Sequence, residues 1–150
     1  MKFQTKYHGE LEIDEQGMIQ FEEGIPGFED EKSFIVLPLG EDSPLLILQS
    51  IKTASLGFVI VNPFDYFNDY SIELSDSTLT KLNIENKDQV ALYVILTVQD
   101  PFENTTANLR GPIVINVKHR LGKQVIVNDE SFTTKHPIIK TPAPANEGGQ

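Results

Sequence analysis

Five carboxylates, three phenylalanines and a Gly-Ile-Pro-Gly turn share fourteen residues, FEEGIPGFEDEKSF (21–34), with Lys32 the one basic side chain among them. Acids gathered on a turn suit an acid–base active site, a metal loop, a solvated face, or a surface for a basic partner. Glu22, Glu23, Glu29 and Asp30 would supply a glycosidase-like pair, but such sites sit in clefts lined with aromatic platforms. This chain has no tryptophan, and its acids lie on a turn. The acids at 29–31 lack the alternating Asp spacing and the Glu at position twelve that a calcium loop of the EF-hand type requires.

Other chemistries lack their parts. There is no cysteine, so disulfides, thiolate metal sites and cysteine nucleophiles are excluded. No Ser sits in a G-x-S-x-G elbow, and His8, His119 and His136 are isolated from one another in sequence. Zinc spacings and glycine-rich phosphate loops are absent. Asn104-Thr105-Thr106 matches a glycosylation sequon, without a secretory signal to give it meaning. The expectation is a protein that is not an enzyme, with no cofactor and no metal.

Charge narrows the partners. The net charge is -10, distributed as 19 acids against 6 bases over residues 1–109 and 3 acids against 6 bases over 110–150. Nine carboxylates lie between Glu10 and Glu31 with no Lys or Arg. Nucleic-acid binding relies on cations that neutralise phosphates, so direct RNA or DNA binding is not expected. A basic protein partner is, with a solvated acidic face as the alternative. No apolar run approaches the roughly 18–20 residues that span a bilayer, and MKFQTKYHGE lacks the apolar core of a signal peptide. A cytoplasmic protein without membrane contact is the expectation.

The elements that position these residues read mostly in period two. FQTKYHGELEI (3–13) is a strand or a hairpin bent at Gly9, and GMIQF (17–21), SFIVLPL (33–39), LLILQSI (45–51) and LGFVIVN (56–62) read as strands. DYSIEL (69–74) reads as another. DQVALYVILTV (88–98) is the longest apolar run and predicts a central strand buried on both faces. GPIVINVKH (111–119) and KQVIVND (123–129) flank RLG, a hairpin loop with Gly122 free to take positive φ. Only SDSTLTKLNI (75–84) reads as helix, capped by Ser75 or Ser77 and ended by Asn83. About nine short strands predict an all-β fold with one short helix, a single antiparallel β-barrel-like or sandwich domain over 1–136. Residues 137–150, rich in Pro and Gly, read as a flexible C-terminal tail.

Within this frame, GIPGFED (24–30), NPFDYF (62–67), DPFENTTANL (100–109) and RGPIVIN (110–116) set Phe or Asn beside Pro on stiffened loops. A held aromatic loses little entropy on binding, which suits partner recognition, while plugs for the ends of a barrel are the bland alternative. Asn62, Phe64, Asp65, Phe67, Phe102, Glu103, Asn108 and Leu109 are the candidate partner-binding residues. Glu22, Glu23, Glu29, Asp30 and Glu31 are the candidates for steering a basic partner or repelling RNA.

Taken in order, YHGELEIDEQGMIQFEEGIPGFEDEKSFIVLPL, ILQSIKTASLGFVIVNPF, VILTVQDPFENTTANLRGPIVIN and LGKQVIVND strongly resemble the FliW family of bacterial flagellar assembly factors. The resemblance covers about residues 1–135 and rests on several long segments. It implies a cytoplasmic, barrel-like protein without catalysis that binds two partners. One is the C-terminal segment of flagellin, expected to fold as an amphipathic helix against an apolar groove. The other is the homodimeric RNA-binding repressor CsrA, released from flagellin mRNA once export frees the FliW-like protein to bind it. The chain alone is expected to be a monomer. The alternatives are a small carbohydrate-binding β-domain and a structural subunit of a larger assembly.

Overall fold

In the computed structural model, residues 2–6, 8–12, 17–40, 43–67 and 70–138 are described. Strands β1 (Lys2–Thr5) and β2 (Gly9–Glu12) form a hairpin of their own, turning where Gly9 takes φ 65°. Seven others close a barrel: β3 (Ile19–Gln20), β4 (Ser33–Pro38), β5 (Leu46–Ser50), β6 (Gly57–Val61), β7 (Val90–Thr97), β9 (Ile113–Asn116) and β10 (Leu121–Gln124). Around the barrel the order is β7-β6-β5-β4-β3-β10-β9, with β9 returning to β7. Every pairing is antiparallel except β3 with β10, which meet in parallel at Gln20 and Leu121. The short strands β8 (Thr106–Ala107) and β11 (His136–Pro137) extend the sheet beside the end of β7. An all-β barrel with one short helix is the fold that the period-two pattern predicts.

Two apolar clusters pack on opposite faces of its sheet, Phe58 and Ile60 turned to one and Val59 and Val61 to the other. Phe21, Ile25, Phe34, Leu48, Ile60, Ile113 and Ile115 make the first, with Phe21 and Phe34 edge to face at 5.2 Å. Val61, Phe67, Tyr70, Val94, Leu96, Ala107, Leu109 and Ile138 make the second. Of the tail expected over 137–150, Pro137 pairs with Thr106 in β11 and Ile138 is buried in this cluster, and residues 139–150 lie outside the described residues.

Helix α1 (Asp76–Lys81) starts at Ser75, whose Oγ accepts from the Thr78 N–H at 3.1 Å, and it ends before Asn83 at φ 53°. Buried Asn116 ties it to the barrel. Its Nδ2 donates to the Leu82 and Asn83 carbonyls at 2.7 and 3.1 Å, while its Oδ1 accepts from the Lys118 and His119 N–H groups.

Three expectations change. The strand expected over 69–74 does not form: residue 69 lies outside the described residues, and 70–74 run without a ladder partner from Tyr70, whose hydroxyl donates to the Leu109 carbonyl at 2.7 Å, to the helix cap at Ser75. Alternation in sequence reports a half-buried strip, not a pairing partner. Strand β7 is not fully buried on both faces: its fully buried side chains, Val94 and Leu96, share one face, the opposite face is only partly buried, and residues 90–93 border an open groove. At the β9–β10 turn, Arg120 takes the left-handed conformation (φ 54°) and Gly122 lies inside β10. Gly122 is there for space: a Cβ would stand 2.5 Å from Cζ of the fully buried Phe21 ring.

Gly122→Ala therefore forces a core ring to move and should lower stability by about 1–3 kcal/mol in urea denaturation. Arg120→Gly relaxes a strained backbone and should change stability by less than about 1 kcal/mol. The reverse ranking would restore the role of Gly122 as a turn residue.

Candidate functional site

The Pro63 turn shows how a loop phenylalanine is held outward. Pro63–Asp65 form a 3₁₀ turn, and Asn62, its cap, accepts the Phe64 N–H on Oδ1 at 2.9 Å. With the turn fixed at its start, the Phe64 ring stands 47% exposed, tilted against Tyr70 at 6.4 Å. It forms one wall of a groove of about 1090 Å³ bounded by Ile72 and Leu74, by Leu79 of α1, by Ile84, and by Val90 and Leu92 of β7. Glu73, Glu85 and Lys87 stand around it. The groove is mainly apolar, a surface suited to one face of an amphipathic segment.

Of the eight predicted partner-binding residues, Asn62 and Phe64 line this groove, and Asp65 is exposed on the same turn. The structure places Phe67 and Leu109 in the second core cluster, 9% and 1% exposed, where Phe67 meets His136 edge-on at 5.4 Å. Asn108 Oδ1 accepts the Arg110 and Gly111 N–H groups at 3.1 and 2.9 Å and so shapes the turn into β9. Phe102 and Glu103 are exposed on a second 3₁₀ turn past the far end of β7 and do not line the groove. The walls Ile72, Leu74, Leu79, Ile84, Val90 and Leu92 went unnamed in the sequence. The signal was present in the alternation Tyr70, Ile72, Leu74, which marks one apolar face.

The acidic turn divides into two kinds of carboxylate. Glu23 accepts from Lys81 Nζ of α1 and Lys123 Nζ of β10, each at 2.7 Å. These two ammonium groups hold its carboxyl well below the usual range, from 4.5 to about 2. Glu31 accepts the Ser50 hydroxyl, and that of Thr53 at 2.6 Å, and these bonds also lower its pKa. Glu29 accepts the Gly27 N–H at 3.0 Å, which lowers its own. Glu22 and Asp30 are exposed. Gly24 (φ 69°) makes the turn possible, since a Cβ there would lie 2.6 Å from the Glu29 backbone. Among the described residues no three His, Asp or Glu side chains converge as a metal site would require, and no helix is long and apolar enough to cross a membrane.

Comparison with known proteins returns one family. The family model for FliW protein matches residues 2–138. The flagellar assembly factor FliW of Geobacillus kaustophilus (strain HTA426) is 59% identical over 139 residues, covering 93% of this chain and 96% of that protein. The flagellar assembly factor FliW of Bacillus subtilis (strain 168) is 49% identical over 138 residues, covering 92% and 96%. A crystal structure of the flagellar assembly factor FliW matches with a TM-score of 0.87 at 54% identity, covering 93% of this chain and 98% of that one.

The Glu23 bridges carry a stability prediction. A folded-state pKa below the unfolded one stabilises above the unfolded value, and this contribution is lost as pH falls from 4.5 towards about 2. Glu23 is half exposed, so Glu23→Gln should cost only about 0.5–1 kcal/mol at pH 7, with the difference from the parent vanishing across that acid window. Chemical denaturation at a series of pH values checks both size and sign. A difference that grew as pH fell would contradict the assignment.

Proposed function

The chain belongs to the FliW family of flagellar assembly factors, and from that membership we propose that it is a non-enzymatic cytoplasmic partner switch between flagellin and CsrA. The observation that carries this reading is the match to flagellar assembly factors over nearly the whole chain. Flagellin's C-terminal segment binds as an amphipathic helix in the apolar groove beside Phe64, with Ile72, Leu74 and Leu92 receiving its apolar face. While flagellin accumulates, it holds the protein. After export, the freed protein binds the CsrA dimer and flagellin translation resumes.

The acidic turn serves the second partnership. Glu22 and Asp30 face solvent, and Glu29 and Glu31 stay ionised to low pH because hydrogen bonds favour their charged forms. A negative surface docked beside a basic RNA-binding dimer weakens RNA binding through the field it adds, without occupying the RNA site. The carbohydrate-binding alternative finds no support in the family match.

Calorimetric titration with the CsrA dimer, with and without a peptide of flagellin's C-terminal segment, tests the switch. The expected result is CsrA binding that the peptide suppresses. Phe64→Ala should weaken the peptide about tenfold or more, and Phe102→Ala should leave it unchanged. No binding to either partner would refute the reading, and equal losses from both variants would move flagellin off the groove. Glu22→Gln with Asp30→Asn should reduce RNA release from CsrA while leaving flagellin binding intact. Unchanged RNA release would remove the electrostatic role.

A further inference from the structure

The chain from Ser71 to Leu74 is an extended strap with no ladder partner. It is anchored before its start by the Tyr70 hydroxyl on the Leu109 carbonyl and after its end by the Ser75 cap of α1. Within it, the backbone N–H and C=O groups of Ser71, Ile72, Glu73 and Leu74 make no hydrogen bond among the described residues. Across a second groove, distinct from the one beside Phe64 and about 780 Å³ in volume, lies residues 125–128. There the Val125 and Val127 N–H groups donate to the Pro112 and Arg110 carbonyls at 3.0 and 2.8 Å. Backbone groups alternate in direction along an extended chain, so those of Ile126 and Asn128 face away from that ladder, and they too make no hydrogen bond among the described residues. Ile126 is 68% exposed.

Two segments with backbone groups free on the groove side thus border one groove, an arrangement open to a strand laid between them. An edge of this kind is a template for another chain. The groove also sets the side chains of its occupant. Ile72, Leu74 and Ile126 offer apolar contacts, and Glu73 stands exposed with no partner among the described side chains. Lys123, the basic residue at this groove, is already engaged by Glu23.

We propose that this groove is a strand-addition site for an extended segment of a partner protein in which apolar and basic residues alternate. The occupant bonds through its backbone to the strap and to residues 126 and 128, lays apolar side chains on Ile72 and Ile126, and sets a basic residue against Glu73. The inference rests on the groove alone and stands independently of the flagellin and CsrA reading.

The probe is a short, end-capped peptide alternating valine and lysine, mixed with the full chain at up to about 1 mM, the range of weak specific binding. Amide hydrogen exchange reads the result. Exchange should slow about tenfold or more at Ile126, at Asn128 and at alternate residues of 71–74. A peptide N-methylated at alternate residues keeps its apolar face but lacks half its donors, and should give no slowing. A valine–glutamate peptide should bind several-fold more weakly, and the Glu73→Lys chain should reverse that preference. No slowing at these amides, or equal slowing by the N-methylated peptide, overturns the proposal. So does slow exchange in the free chain: lost on dilution, it assigns the groove to a second copy, and otherwise to the chain itself.

Discussion

Strand β7 is shared among three neighbours, and the rest of the architecture follows from how it is divided. One edge carries β9 along Val90–Tyr93 and β8 at Leu96 and Thr97, which closes the barrel. The other edge carries β6 only at Val94 and Ile95, because Asn62 and Pro63 turn the chain away. The pairing that closes the barrel therefore leaves the first half of β7 uncovered on its β6 side. Helix α1 and the 71–74 strap stand across that opening without filling it, and the groove beside Phe64 results. Phe64 is exposed for the same reason that β6 is short.

Local chemistry was legible in the sequence wherever a single residue type dictates a local geometry. Ser75 caps α1 and Asn83 ends it in the left-handed region, as their side chains favour. Most alternating runs became strands within one or two residues of their expected bounds, but the runs at 111–119 and 123–129 became Ile113–Asn116 and Leu121–Gln124, which end early, and no strand formed over 70–74. What stayed hidden depends on contacts between distant residues. Nothing local distinguishes Tyr70–Leu74, which finds no partner, from Leu46–Ser50, which finds two. Gly122 could be read as a turn residue, because the Phe21 ring that excludes its side chain lies 101 positions earlier in the chain. In NPFDYF, residue type could not separate the exposed Phe64 from the core Phe67.

The acidic turn shows that a structural role and an electrostatic role can belong to one segment. Hydrogen bonds to Glu29 and Glu31 fix the turn and at the same time favour their charged forms, so they keep contributing negative potential. Glu23 differs. Two lysines answer its one charge, so the Glu23, Lys81 and Lys123 cluster carries a net charge of +1. The negative charge of residues 21–34 therefore rests on Glu22 and on Glu29–Glu31, on either side of the turn that Gly24 and Gly27 bring round. Composition gave five equivalent carboxylates, and the fold makes them unequal.

The strap from Ser71 to Leu74 gains stability from neither of the ladders it borders. Leaving its backbone unpaired is tolerable because Ser71 and Glu73 are exposed and water satisfies their groups; buried, each unpaired group would cost about 1–3 kcal/mol. Its position is set at the ends by Tyr70 in the second core cluster and by Ser75 at the helix, and between them by Ile72, which packs on the same cluster. A charged Glu73 at its centre discourages indiscriminate edge pairing, a common device on exposed strands. The same four residues wall both grooves, one mainly apolar and one bordered by free backbone. Because the strap is the common wall, with Ile72 seated on the second core cluster, the shape of one groove is tied to that of the other.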